Sequence, residues 1–348
     1  MKFSRSKINR VGEIISQQKN DRLEVAEALL VIEQWRQDHA IVLQELFRQV
    51  SALLDTKKIK YAFSSQRLKR MTSIIDKLKH HPEMRLGGVQ DIGGARFVFE
   101  STEFLAEAKE AIMEASFDGF TIDREPYDYV TRPKDSGYRS IHFAFMYHSD
   151  NESLDGKRVE LQIRTRLQHD WATAVETAEL ISKSALKAGI GDESWLSFFQ
   201  LVSAIFAKKE NLPVNGHFSS FTEKEYCEQY VAIIEKYRFL EKFESLVGAV
   251  SFTEEQSFKE GYVVLFVNYS EKRARVRHFN ESDLDKANAL YSQIEGTISN
   301  EDGAVVLVSV SDMKELTSAY PSYFMNAQEF LSSLSEFSDH CRVKGYIR

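Results

Sequence analysis

Residues 139–164 read RSIHFAFMYHSDNESLDGKRVELQIR, two runs of alternating side chains joined by a polar loop. Successive side chains of a strand point to opposite faces, so Ile141, Phe143 and Phe145 take the core side while Ser140, His142 and Ala144 face away from it. In the second run Val159, Leu161 and Ile163 point one way, and Arg158, Glu160, Gln162 and Arg164 the other. The loop SDNESLDGK between them predicts an antiparallel hairpin. Just upstream, ARFVF near 95–99 reads as a third strand and AEAKEAIMEAS as a helix. Strand, helix and paired strands together predict an α+β domain built on a mixed β-sheet and flanked by helices.

Working outward, residues 1 to about 60 read as helices. The apolar positions of EVAEALLVIEQWRQDHAIVLQELFRQVSALL recur every three to four residues with no Pro or Gly. The stretch from Ser64 to Lys79 reads as a further helix, closed by His80, His81 and Pro82. On it Leu68, Met71, Ile75 and Leu78 form a packing stripe, and Lys69, Ser73 and Lys77 a second, cationic one. From Thr165 to about Val247 the pattern is helical again, with a break near 211–216. Beyond Ser251 come strands at GYVVLFVNY and RARVRHF, a helix at DLDKANALYSQIEGTI, a strand at AVVLVSV and a helix at AQEFLSSLSEF. The predicted organisation is therefore N-terminal helices (1–60), a sheet domain (61–180), a helical extension (181–247) and a smaller C-terminal α+β unit (248–348).

With 43% hydrophobic residues over 348 positions the chain can fill a sizeable core, and its few breakers (Gly 16, Pro 5) argue against long disorder. No run approaches the ~20 apolar residues of a membrane span. The opening MKFSRSKINR lacks the apolar stretch of a signal peptide, so a cytoplasmic protein that engages no membrane is expected. Cys227 and Cys341 agree with that location, being too few for a disulfide framework and lacking metal-ligand spacing. The net charge of −7 argues against a general nucleic-acid coat protein, yet it is unevenly spread. Lys57 to Arg96 holds ten Lys and Arg against Asp76, Glu83 and Asp91, whereas Glu223 to Glu260 holds nine Glu against five Lys and Arg. A basic segment in an acidic chain points to a local anion site.

Taken singly, these features have ordinary structural explanations: a lysine row is commonly a solvated helix face, and a sheet with one polar face is routine. The loop before the first strand adds weight. In YDYVTRPKDSGYRSIH, Lys134, Gly137, Tyr138 and His142 supply a phosphate-seeking cation, a flexible turn, an aromatic platform and a polar ring. Asp91 stands just before the strand at Ala95, with Gly93 and Gly94 letting the backbone turn. Paired with Glu160 across the sheet it would suit Mg²⁺, which takes one or two carboxylates and fills its other positions with water and phosphate oxygens.

Four segments, RLKRMTSIIDK (67–77), DIGGAR (91–96), RPKDSGYRSIH (132–142) and VELQIRTRLQHDWA (159–172), resemble in order and spacing the synthetase domain of RelA/SpoT homologues, in particular the small single-activity synthetases. The resemblance covers about residues 60–180, and WRQDH around Trp35 is similar, more weakly, to the leading helices of the small members. It implies a nucleotidyltransferase-like fold and a pyrophosphokinase that moves the β,γ-pyrophosphate of ATP to the 3′-hydroxyl of GDP or GTP, leaving AMP. By the same resemblance Arg67 would stack on adenine, with Lys69, Lys77 and Arg96 on the ATP phosphates and Ser73 adding a hydroxyl. Asp91 would bind Mg²⁺, and Glu160 would share the metal or orient the attacking hydroxyl. Tyr138 would stack on the acceptor base, Lys134 and His142 would hold the acceptor phosphates, and Gln162 and Arg164 would complete the wall. His80, His81, His169 and Asp170 read as local structure, and Trp171 and Glu176 as packing and support.

Full-length family members carry a metal-dependent hydrolase ahead of the synthetase. The ~60 residues before the motifs are well below the ~100 usual for a domain, so synthesis without hydrolysis is expected. A competing reading keeps the donor and places the pyrophosphate on the 3′ end of tRNA, as some toxic small synthetases do. Lys57, Lys58, Lys60, Arg70, Lys79 and Arg85 would then form a track for a phosphate backbone. A third reading is a non-catalytic regulatory module on the same fold, against which the pair Asp91 and Glu160 speaks. Small synthetases often form homo-oligomers, but no stripe in this chain marks an interface.

Overall fold

The computed structural model describes residues 4–17, 22–81, 83–182, 186, 189, 191–214, 216–237, 251–252, 261–268, 273–297, 303–310 and 327–347. Helices α1 (Arg5–Ser16) and α2 (Arg22–Lys57) lead into strand β1 (Phe63–Leu68), helix α3 (Met71–His80), strand β2 (Gly93–Phe99) and helix α4 (Thr102–Glu114). Short strands β3 (Phe120–Ile122) and β4 (Tyr127–Asp128) precede the hairpin of β5 (Ile141–Tyr147) and β6 (Arg158–Thr165). Helices α5 (Arg166–Ser182), α6 (Glu193–Lys209) and α7 (Glu223–Tyr237) follow. Then come β7 (Ser251–Phe252), β8 (Gly261–Asn268), β9 (Arg273–Phe279), α8 (Leu284–Glu295), β10 (Gly303–Val310) and α9 (Gln328–Val343).

The hairpin forms in the expected register: β5 and β6 are antiparallel, with Phe143 opposite Leu161 and Ala144 opposite Glu160. β2 runs parallel to β6 and antiparallel to β1, which makes the sheet mixed. Its inner face carries Phe97, Phe143, Phe145, Leu161 and Ile163, all fully buried against Leu43, Leu46 and Val50 of α2 and Leu105, Ala108 and Ile112 of α4. Burial of apolar surface on that side leaves the opposite face of β1, β2, β5 and β6 to carry the polar side chains.

Residues 64–68 depart from the expected helix. FSSQRL is a strand, paired with β2 from Phe63↔Val98 to Leu68↔Gly93 and with β10 at Gln66↔Ser309 and Arg67↔Val308. The helical spacing of Leu68, Met71, Ile75 and Leu78 overran the true start of α3 at Met71. Neighbouring strands on both sides satisfy the backbone of β1, and this outweighs a local pattern that shows no strand alternation.

The β10 pairing also joins the C-terminal strands to the same sheet, whose order is β3-β5-β6-β2-β1-β10-β8-β9-β7 with β4 on β5. α8 packs on these strands through Ala287 and Tyr291 against Tyr262, Val264, Val305 and Leu307. A separate cluster unites α5, α6, α7 and α9 around Trp171, Phe198, Phe199, Tyr230 and Phe330. Within it Cys227 of α7 and Cys341 of α9 form a disulfide with a Cα–Cα distance of 5.7 Å. Two cysteines, too few for a disulfide framework, thus still form one bond: they stand 114 residues apart, and the packing of α9 on α7 brings them together. Among the described residues no helix is long and apolar enough to cross a membrane.

Candidate active site

Strand register sets the polar face. Ala144, Glu160, Gly94 and Arg67 form one cross-strand row, and Tyr127, His142, Gln162, Arg96 and Ser65 the next. Gly94 leaves a gap in the first row, because a Cβ built there meets nothing within 4 Å. The floor between Arg67 and Glu160 is therefore open to a ligand.

Asp91 precedes β2 at the edge of this gap. Its Oδ2 pairs with Lys69 Nζ at 2.8 Å and its Oδ1 with Lys77 Nζ at 3.0 Å. Burial pushes the Asp91 carboxyl up, but the two ammonium groups prevail and hold its pKa at about 2. Lys69 lies in the link between β1 and α3, and Lys77 lies inside α3, so a strand end and a helix converge on one carboxylate.

Glu160 is held differently. Its Oε1 lies 2.8 Å from His142 Nδ1, and its Oε2 accepts from Gln162 Nε2 at 2.7 Å. Burial raises its pKa, and the bonds from His142 and Gln162 reverse that, leaving the carboxyl below its usual range and ionised at neutral pH. The other ring nitrogen of His142, Nε2, lies 3.0 Å from the Tyr138 hydroxyl. The chain Tyr138–His142–Glu160–Gln162 thus fixes the second carboxylate.

Two adjoining clefts share both carboxylates. One, of about 80 Å³, is lined by Ser65, Arg67, Lys69, Gly94, Arg96 and Gln162 besides Asp91 and Glu160. The other, of about 360 Å³, adds Lys77, Met84, Arg85, Gly88 and Gln90. A larger cavity, about 580 Å³, lies elsewhere, between α6, α7 and α9, and its wall of Phe206, Phe221, Tyr226 and Phe337 is mainly apolar. The clefts that hold the carboxylates and the cations are the candidate site. Among the described residues, no group of three or more His, Cys, Asp and Glu side chains is placed to hold a metal ion. A two-carboxylate donor set open to water and phosphate oxygens suits Mg²⁺.

The structure brings Arg67, Lys69, Lys77, Asp91, Arg96, Glu160 and Gln162 to these clefts, while Ser73 on α3 lines neither. Lys134, Tyr138 and His142 do stand together, with Lys134 Nζ 5.3 Å above the Tyr138 ring and 4.7 Å above that of Tyr129. Tyr138 is no open platform, however: it is 8% exposed, and Lys134, Tyr129 and Trp171 surround its ring. Arg164 departs further, being 1% exposed with Nη2 2.6 Å from His169 Nδ1. Burial and the neighbouring Arg96 bring its pKa down to about 9. It lines neither cleft. Ser65 and Gln90 were missed, Ser65 because its strand was read as a helix. Also missed were Tyr127, 43% exposed, and Tyr129, whose stacked rings lie 5.8 Å apart. The alternation in YDYV is the signal that marks both rings.

Residues 66–185 match the family described as a region found in RelA / SpoT proteins. Over 116 residues, 32% of this chain and 53% of the relative, the sequence is 32% identical to GTP pyrophosphokinase YjbM of Bacillus subtilis (strain 168). Over 112 residues it is 30% identical to the uncharacterized protein Rv1366 of Mycobacterium tuberculosis, covering 32% of this chain and 37% of that one. The chain thus spans about half the length of the first relative and little more than a third of the second. A GTP pyrophosphokinase family protein from Streptococcus pneumoniae superposes with a TM-score of 0.44 at 22% identity, over 52% of this chain and 90% of the other. Asp91, Glu160 and the cations around them all fall inside the segment that matches this family.

Proposed function

We propose that the protein is an ATP-dependent pyrophosphokinase that transfers the β,γ-pyrophosphate of ATP to the 3′-hydroxyl of GDP or GTP and releases AMP. The observation that carries this reading is Asp91 gripped by Lys69 and Lys77 in clefts shared with Glu160. The 32% identity to GTP pyrophosphokinase YjbM over 116 residues supports it.

In this reading the gap over Gly94 receives the donor, with Arg67 against the adenine and Lys69, Lys77 and Arg96 against the phosphates. Entry of a polyphosphate draws the two lysines from Asp91 to phosphate oxygens, which frees both Asp91 oxygens. Asp91 and Glu160 would then hold Mg²⁺, which when bound neutralises charge on the transferring group. Glu160, already ionised and fixed by His142 and Gln162, orients the acceptor hydroxyl by accepting its hydrogen bond. The 3′-oxygen forms a bond to the β-phosphorus as the bond from that phosphorus to the oxygen bridging the α-phosphate breaks, and the electron pair leaves with AMP. The proton of the 3′-hydroxyl passes through Glu160 to solvent. Lys134 above Tyr129 and Tyr138 marks the acceptor side, and a base that stacks on Tyr138 has first to displace that ammonium group.

Product analysis tests the proposal. ATP labelled in the β-phosphate is offered with Mg²⁺ and, in parallel, GDP, GTP, ATP and deacylated tRNA. Label on GDP or GTP with equimolar AMP is the expected result. Label on tRNA instead would move the acceptor to the polynucleotide, and absence of AMP with every acceptor would leave a non-catalytic module.

A further inference from the structure

Helix α3, which carries Lys77, begins without a cap of its own. Its N-cap residue Arg70 makes no side-chain capping bond, and its first turn contains no acidic residue. The first amides of a helix need acceptors from outside it. For Met71 the acceptor comes from the far end of the chain, since its N–H donates to Glu295 Oε1 at 2.6 Å. Glu295 is the last residue of α8, where a carboxylate faces the negative end of its own helix dipole. The helix that carries this charge does not explain its position, whereas the N-terminus of α3 does.

The surrounding groups hold Glu295 to that task. The Tyr291 hydroxyl donates to Oε1 at 2.8 Å, and Arg36 Nη2 pairs with Oε2 at 2.8 Å. Arg36 is fully buried, and its Nη1 donates to the Lys69 carbonyl at 3.3 Å. Glu33 pairs with Arg36 at 2.6 Å and accepts from Ser292 Oγ at 2.7 Å, which closes the network between α2 and α8. The backbone on both sides of Arg70 is thereby clamped: Lys69 through its carbonyl, Met71 through its amide. Lys69 lies in this short segment and Lys77 further along the helix that it begins, and the two cations grip Asp91.

We propose that Glu295 and Arg36 are positioning residues for the donor site, and that the C-terminal unit completes that site by capping α3 from outside the family segment. The proposal rests on the reading of Lys69 and Lys77 as ligands of the ATP phosphates. It assigns the C-terminal unit a part in donor binding and none in acceptor binding.

Full-length protein carrying Glu295→Ala or Glu295→Gln tests it, with separate calorimetric titrations of Mg·ATP and GDP and with amide hydrogen exchange over residues 69–80. A lost helix cap costs enough to weaken ATP binding by about tenfold in the alanine variant, with GDP binding unchanged and protection lost in the first turn of α3. Glutamine keeps an oxygen for the Met71 amide but loses the charge and sets an NH2 against Arg36 Nη2, so it should restore most of the protection and part of the ATP affinity. Unchanged exchange in α3, or equal losses for ATP and GDP, would overturn the proposal. Should the alanine variant unfold, the glutamine variant decides by the same two measurements. A wild-type chain that binds ATP but transfers nothing would sink the pyrophosphokinase reading and leave the positioning result standing. One that binds no ATP would overturn both.

Discussion

Asp91 has both carboxylate oxygens engaged by lysine ammonium groups, whereas Glu160 is engaged by an imidazole and an amide. In the proposed reaction this difference divides their work. Asp91 sits where cations can be handed to an incoming polyphosphate, and Glu160 where a fixed anion can meet a hydroxyl. Replacing Asp91 by Asn or Glu160 by Gln removes charge at nearly constant volume, so each variant is expected to fold and to lose transfer by about 100-fold or more. Steady-state turnover beside a thermal melt is the check, and a folded Asp91→Asn protein within threefold of wild type would remove the assignment. The pH dependence has a defined sign. Folding lowers the Asp91 pKa from 3.8 to about 2, so its contribution to stability is complete above that ordinary value and is lost as pH falls towards 2. The residue types and the spacing of the two carboxylates were legible in the sequence. The covering of Tyr138 by Lys134 and the withdrawal of Arg164 were not, because both depend on neighbours remote along the chain.

At the scale of elements, β1 and β2 form the floor of the proposed donor side, and Gly94 is the position where that floor opens. Its φ lies outside the left-handed region and an added Cβ meets nothing within 4 Å. Gly94→Val should therefore fold with stability within about 1 kcal/mol of wild type, since a β-branched residue suits a strand. Its methyl groups would stand between Arg67 and Glu160 and raise the KM for ATP by about tenfold or more, through loss of an equivalent of about 1.4 kcal/mol in binding. Unaltered ATP kinetics in this variant would show that the donor does not cross the gap. Gly137 differs: its φ is +92° and an added Cβ would lie 2.8 Å from Ser203 Cβ, so its role is the turn itself. The hairpin of β5 and β6 was readable because a period of two survives in both strands. β1 was not, because FSSQRL takes its conformation from β2 and β10 on either side.

For the molecule as a whole, a single sheet runs from the family segment into the C-terminal strands, and a disulfide ties α7 to α9. By the chain entropy it removes from the unfolded state, a cross-link that closes a loop of this length is worth up to about 5 kcal/mol. Reduction, or Cys227→Ser combined with Cys341→Ser, should lower the melting temperature by several degrees. Transfer should persist, because α7 and α9 line neither cleft beside the carboxylates. Identical melting with and without reductant, together with two titratable thiols in untreated protein, would refute the bond. The sequence by itself determined the α+β class, the polar face of the hairpin and the residues that carry charge to it, since alternation and composition act over a few neighbouring positions. Tertiary structure alone decided that FSSQRL is a strand, that the two cysteines meet and that Glu295 caps a helix more than two hundred residues upstream. Those outcomes follow from hydrogen-bond satisfaction and close packing between distant segments, and no local pattern encodes either.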